Sequence, residues 1–265
     1  MKIGLGLITY NRPAFFNLSC SSAMQAVEGC AVHHFVVVND GTPYDGFKPS
    51  DGMHLIQRPK NGGVACAKND ALRSMMAAGC DICFLMEDDI IIRKSSVFNA
   101  YVEAMKCSNI QHFNFGYHGL ANMRDGKPWA RMIVRYNENV YLSFNRHCVG
   151  AFSMYSKECL DKVGLMDERF VNAWEHVDHT LRIIQAGFHP PFWWFADIIN
   201  SHEYLGEIAS NEVRSSIHER SDWQMNINRG TEIFVQAHGC VPVRIPDVGN
   251  VAVQQYLKSA KGISR

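Results

Sequence analysis

Residues 84–89, Phe84-Leu85-Met86-Glu87-Asp88-Asp89, run an apolar strand straight into three adjacent carboxylates. Phe84 and Leu85 continue an apolar run from Ile82, and along the chain no cation follows the acids before Arg93. Adjacent acids repel one another, so a bound cation is the simplest way to keep all three ionised. Hard oxygen ligands of this kind favour Mg2+ or Mn2+. An isolated acidic triplet is more often a solvated turn. The neighbouring segments therefore decide the reading.

Upstream, apolar runs alternate with amphipathic stretches, the pattern of βαβ units that build a parallel sheet. Ile3 to Ile8 reads as a strand and Pro13 to Val27 as a helix with proline at its start. Phe35 to Val38 is a second strand, Met53 to Gln57 a short third, 64–78 a helix, and Cys80 to Met86 a fourth strand ending at the acids. In open α/β sheets ligands bind beyond the carboxyl ends of strands. Three polar clusters fall at such ends: Thr9-Tyr10-Asn11-Arg12, Asn39-Asp40-Gly41 and Glu87-Asp88-Asp89. Their recurrence along one sheet edge is the strongest signal in the chain.

Downstream the pattern is less regular. A polar loop, 122–128, is expected to be mobile; 156–163 and 174–186 read as helices, and Phe192 to Ile199 reads as a fully buried strand. With 265 residues the chain is read as one domain over 1–245, divided into halves at 110/111, followed by a loosely attached helix or tail over 246–265. Lys plus Arg equals Asp plus Glu at 26 each, so no global field draws the protein to nucleic acid or an anionic membrane. Nine cysteines, including Cys80 and Cys83, lack paired zinc-type spacing and read as reduced core thiols. No apolar run is long enough to span a bilayer. A cytoplasmic location is the expectation.

The ordered set of motifs resembles the GT-A nucleotide-sugar glycosyltransferases, especially glycosyltransferase family 2. Thr9-Tyr10-Asn11-Arg12 resembles their opening turn, and Asn39-Asp40-Gly41-Thr42 their acidic turn after the second strand. Asn61-x-Gly63-x-x-x-Ala67-x-Asn69 resembles the helix that follows, and Glu87-Asp88-Asp89 falls where the DxD-type metal motif belongs. Gly150-Ala151-Phe152 and the segment Val163 to Phe170 resemble the acceptor side, with Trp174-Glu175-His176-Val177-Asp178 at the place of the catalytic acidic motif. The resemblance spans about residues 3 to 204.

It implies a Rossmann-like α/β sandwich with a mixed central sheet flanked by helices, residues 1–110 serving the donor and 111–245 the acceptor. Thr9, Tyr10, Arg12, Asp40, Asn61, Gly63, Lys68, Asn69, Glu87 and Asp88 are the implied nucleotide-sugar contacts, Asp40 accepting from the imide N–H of uracil. Asp89 is the implied main ligand of Mn2+ or Mg2+, with His202 as a further ligand. The implied donor is a UDP-sugar, and the acceptor a hydroxyl of a carbohydrate or glycoconjugate; charge balance lends a nucleic-acid acceptor no support.

Inverting transfer needs a base for the acceptor hydroxyl. Where the family pattern begins the helix with Glu-Asp, this chain reads Glu175-His176, with Asp178 two places on. Val177, Leu181 and Ile184 form a buried helical stripe, which leaves Glu175 and Asp178 facing away from it. Glu175 ranks first as base or acceptor contact and Asp178 second; Asp178 also stands four residues before Arg182, the spacing of an ordinary ion pair. His176, the direct positional replacement, is the remaining alternative. Trp174 is the expected acceptor platform, whereas Phe192, Trp193, Trp194 and Phe195 are expected in the core. The alternatives are a nucleotidyltransferase on a related sheet, which lacks its glycine-rich basic loop here, and a binding module that has lost turnover.

Overall fold

A computed structural model describes residues 1–30, 32–208, 221–245 and 248–260. The chain opens with β1 (Ile3–Thr9), α1 (Pro13–Glu28), β2 (Val32–Asn39), β3 (Met53–Gln57), α2 (Val64–Ala77) and β4 (Ile82–Glu87). There follow β5 (Ile90–Ile92), α3 (Val97–Ser108), β6 (His112–Asn114), β7 (Met123–Arg124), β8 (Lys127–Pro128), β9 (Met132–Arg135), β10 (Tyr141–Asn145) and β11 (Phe152–Ser156). The remainder comprises α4 (Lys157–Val163), α5 (Glu175–Gln185), β12 (Phe195–Ile198), α6 (Ser201–Tyr204), β13 (Leu205–Glu207), α7 (Trp223–His238) and α8 (Asn250–Ala260).

The main sheet has the order β3-β2-β1-β4-β11-β6. Its first four strands are parallel, and β11 runs antiparallel to both neighbours. All seven residues of β1 are buried, because the strand is central and covered on both faces. Gly4 and Gly6 are matched to that cover: a Cβ on either would come within 2.7 Å of Met75 or Ala71 on α2. These glycines let helix and sheet approach closely. The parallel register ends β1, β2 and β4 together, so Thr9 pairs with Asn39 and Ile8 with Glu87, and the three polar turns emerge along one edge.

A second sheet has the order β12-β10-β9, and β13 pairs antiparallel with β5 directly after the acid triplet. Residues 122–128, expected as a polar loop, contain the hairpin β7–β8. Asp125 (φ 51°) and Gly126 (φ 71°) supply the paired positive φ that a two-residue hairpin turn needs. The strand expected over Phe192–Ile199 is confined to Phe195–Ile198. Before it, tight turns from Phe192 N to Pro190 O and from Trp194 N to Phe192 O take the backbone away from the ladder. Within the expected tail, α8 buries Val253 and Leu257 in the main core. It is packed, not loosely attached.

Candidate active site

The edge is held together by a relay that begins on β1. Thr9 Oγ1 donates to Asp88 Oδ2 at 2.6 Å and lies 2.7 Å from the Tyr44 hydroxyl, which also accepts from Arg12 N at 3.1 Å. Arg12 caps the start of α1, where Asn11 (φ 51°) turns the chain. Its guanidinium bonds Asp88 Oδ1 and reaches Asp89 Oδ2 at 3.3 Å. The acids thus have a cation from far upstream. Burial still pushes Asp88 up to about 7 against the pull of Arg12 and Thr9, and it raises Asp89 as well. Asp89 Oδ1 is buried without a hydrogen-bond partner.

Beside them, the Lys68 ammonium is almost wholly buried and spends its three protons inside the protein. It meets Glu87 Oε1 at 2.7 Å, Glu175 Oε1 at 3.2 Å and the Gly150 carbonyl at 3.0 Å. Burial alone would lower its pKa, but Glu87 and Glu175 outweigh burial and raise it. One side chain therefore bridges the acid triplet and the head of α5.

At that head, Trp174 (φ 72°) turns the chain into the helix. Burial would raise Glu175, yet Lys68 and His176 hold it far below the usual carboxylate range. His176 Nδ1 lies 3.1 Å from Glu175 Oε1, and the ring packs so closely on Gly150 that a Cβ there would come within 2.8 Å of His176 Cγ. The His176 side chain is 24% exposed against 5% for Glu175. Asp178 is tied to Arg182 Nε at 2.9 Å and to His238 Nε2 on α7 at 2.8 Å. The expected turning-away of Glu175 and Asp178 from the buried face does not occur. Both are buried because each has cationic or imidazole partners that the helix periodicity cannot reveal.

No protein-family profile matches the chain. An uncharacterized glycosyltransferase of Acanthamoeba polyphaga mimivirus is 26% identical over 182 residues, 68% of each chain. The dTDP-rhamnosyl transferase RfbF of Shigella flexneri is 23% identical over 196 residues, 68% of this chain and 62% of its own length. Among solved structures, the mannosyltransferase PcManGT from Pyrobaculum calidifontis, in complex with GDP-Man and Mn2+, superposes with a TM-score of 0.54 at 14% identity, over 98% of this chain and 70% of that one. S. aureus TarS in complex with UDP gives 0.54 at 13% identity, with the same coverage. The fold is that of the GT-A glycosyltransferases.

On this GT-A sheet the expected donor residues divide. Thr9, Tyr10, Arg12, Glu87 and Asp88 line a recess of about 50 Å3 at the ends of β1 and β4. Thr9 and Tyr10 also line an adjoining recess of about 40 Å3 with Asp40, Asn61 and Gly63. Larger grooves, of about 780 Å3 beside Tyr44 and about 650 Å3 at the opposite end of the sheet around Met1, show that volume alone does not mark the site. Asp40 accepts from Gly62 N and Gly63 N, each at 2.9 Å, and pairs with Arg58 at 2.8 Å, so its lone pairs brace its own loop.

Gly63 (φ 89°) is required by the chain, since a Cβ would come within 2.3 Å of the Val171 carbonyl oxygen. Asn69 is buried, and its side-chain amide donates to the Met166 carbonyl and to Glu168 Oε1 and accepts from Met166 N. Lys68, Asn69 and Gly63 therefore stitch α2 to the second half of the chain and do not present free groups to a nucleotide. In the structure the polar groups of these three residues are engaged in internal bonds.

His202 follows β12, and the strand after it returns beside Asp89: Ile208 N donates to the Asp89 carbonyl at 2.8 Å. His202 Nδ1 is buried without a partner. Among the described residues no group of three His, Cys, Asp or Glu side chains is arranged to hold a metal ion by itself. Asp89 Oδ1 and His202 Nδ1 are thus each without a hydrogen-bond partner, one a carboxylate oxygen and the other an imidazole nitrogen. That fits a Mn2+- or Mg2+-type ion completed by substrate phosphate oxygens.

Trp174 and Trp193 share a cavity of about 290 Å3 with Arg146, His147 and Val243, and Trp174 Nε1 is buried without a partner. Trp193, expected in the core, is half-buried and lines this cavity. Two residues escaped the sequence reading. Asn172 Nδ2 is buried, unpartnered, and lines the recess beside Asp40. Asp197, fully buried, binds Tyr101 Oη and Ser201 Oγ, each at 2.6 Å, and Gly116 N at 2.9 Å, so it fixes the approaches to His118 and His202. A lone carboxylate inside the apolar run Phe192–Ile199 was its visible signal.

Proposed function

We propose that this protein is a metal-dependent, inverting glycosyltransferase that moves a sugar from a nucleoside diphosphate donor, UDP-linked, to a hydroxyl of a carbohydrate or glycoconjugate acceptor. The observation that carries the reading is the Lys68 bridge, which sets the acid triplet and the head of α5 against one ammonium group. Donor and acceptor chemistry thereby share one cleft. The names of the two curated relatives, both glycosyltransferases, support the reaction class.

In this reading Asp89 and His202 hold the ion, and Thr9 and Asp88 fix the floor beneath it. When bound, the ion offsets the negative charge that develops on the departing nucleoside diphosphate. Asp40, with Asn61 and Gly63, shapes the base recess, and Asn172 offers the free donor there. Trp174 and Trp193 receive the acceptor.

For the base we choose His176 over Glu175 and Asp178. Both carboxylates are committed to buried partners, and a carboxylate held far below its usual range is a poor proton acceptor. With Nδ1–H donated to Glu175, Nε2 is the basic nitrogen. The acceptor oxygen bonds to the anomeric carbon, the bond from that carbon to the diphosphate oxygen breaks, and the hydroxyl proton passes to Nε2. Glu175 orients the ring.

A panel of nucleotide sugars with Mn2+ or Mg2+, read by thermal shift and by release of free nucleotide, tests the reaction class. His176→Gln should lower turnover by about 10²–10⁴-fold with nucleotide affinity unchanged. Wild-type turnover in that variant would return the role to Glu175. Tight nucleotide binding with no turnover under any donor would favour the binding-module alternative.

A further inference from the structure

The Asp88–Asp89 pair does not wait for an external ion to be neutralised, because the chain supplies its own. Arg12 reaches back 76 residues in sequence number to place one planar fork against both carboxylates. The two legs are unequal. Asp88 is held closely, has its other oxygen satisfied by Thr9, and its side chain is 2% exposed. Asp89 is met only at 3.3 and 3.4 Å through Oδ2, its side chain is 20% exposed, and its Oδ1 has no partner. Asp88 anchors the arginine, and Asp89 is the loose end.

The guanidinium also lies 5.1 Å from the Phe15 ring centroid, and the Arg12 backbone N–H donates to the Tyr44 hydroxyl. Arg12 can therefore give up Asp89 while keeping Asp88 and its ring contact. A divalent ion bound to Asp89 would share that carboxylate with this cation, which holds its Oδ2. Like charges repel, so ion and guanidinium contend for the same carboxylate. A lysine could not replace it on both acids at once, because an ammonium is a point charge with no fork.

We propose that Arg12 is a resident counter-cation that competes with the divalent ion for Asp89 and so sets the ion affinity of the site, with Asp88 as its permanent anchor. This rests on the reading of Asp89 as a metal ligand, and it makes Arg12 a positioning residue for the ion and not only a donor contact. The site then takes up its ion weakly until a diphosphate adds its own negative oxygens.

The test is Mn2+ binding, followed by the paramagnetic signal of the free ion and by the thermal midpoint, without any turnover assay. Arg12→Gln should bind Mn2+ alone at least about tenfold more tightly than wild type, and Mn2+ should raise its midpoint more than that of wild type. Arg12→Lys, which keeps the charge and guards against a folding failure of the glutamine variant, should also bind more tightly, by a smaller factor. Asp89→Asn should bind least.

Equal or weaker Mn2+ binding in both Arg12 variants overturns the proposal. So does the absence of Mn2+ binding in every form at millimolar concentration while wild type still consumes a nucleotide sugar, an outcome that leaves glycosyl transfer standing. Tighter binding in the variants, with no nucleotide sugar ever bound or consumed by wild type, would leave the Arg12 competition intact and remove the glycosyltransferase reading.

Discussion

Glu175 and Asp197 are both fully enclosed carboxylates, yet their surroundings drive them in opposite directions. Glu175 faces the Lys68 ammonium and the His176 ring and is pulled far below the usual range in spite of its burial. Asp197 faces only neutral donors, the hydroxyls of Tyr101 and Ser201 and the N–H groups of Gly116 and Ile198, and burial pushes it up to about 6. Hydrogen-bond number does not explain the difference, since Asp197 accepts four bonds. The decisive factor is a buried cation. One carboxylate is locked in its charged form as a brace for His176; the other is a tie between β12, α3 and the loop after β6, poised to take up a proton.

Removing the cation should break the contrast. Lys68→Met leaves Glu87 and Glu175 facing each other without their shared partner, and loss of one member of a buried ion pair costs about 3–5 kcal/mol. Urea unfolding should show that loss. The surviving protein should also carry a Glu175 raised toward the value of Asp197, visible as transfer activity that falls away on the acid side at a higher pH than in wild type. A Lys68→Met variant as stable as wild type would mean that the bridge is incidental to both halves of the cleft.

Why the bridge was hidden in the sequence follows from its span. Lys68 and Glu175 are 107 positions apart, and Arg12 and Asp88 are 76 apart. Local periodicity placed α2 and α5 correctly, because their apolar faces repeat every three or four residues. It could not state what lies across from a polar residue on those helices. The polar edge was legible because parallel strands with buried apolar runs must end at the same edge, which aligns Thr9, Asn39 and Glu87 whatever the side chains do. The roles of Lys68 and Asn69 were not, because a lysine or asparagine that ligates a phosphate and one that ties two halves of a fold look alike in one dimension. Asp197 was the missed opportunity: a charge in an apolar strand demands several partners, and such a demand is readable without a structure.

Taking one neutral donor from Asp197 should cost less than taking the cation from Glu175. Tyr101→Phe removes a 2.6 Å hydroxyl bond and should destabilise by about 1–3 kcal/mol, since Ile198 N still serves the same oxygen. A loss as large as that of Lys68→Met would show that neutral donors and cations are equivalent partners here, against the contrast between the two sites.

The smallest effect is the most specific. The folded state holds the Asp197 proton up to about 6, whereas the unfolded chain releases it near the usual 3.8. Between those values the native protein binds more protons than the unfolded one, so this group's contribution to stability is full at acid pH and is lost as pH rises through about 6. Glu175 has the opposite sign: its contribution is full above the usual carboxylate value and is lost only as pH falls far below it. Asp197→Asn cannot titrate. The difference in unfolding free energy between wild type and this variant should therefore shrink across that window and level off above it, in urea midpoints taken at successive pH values. Parallel curves for the two proteins would show that Asp197 is ionised throughout, and that four neutral donors can hold a buried carboxylate as well as Lys68 does.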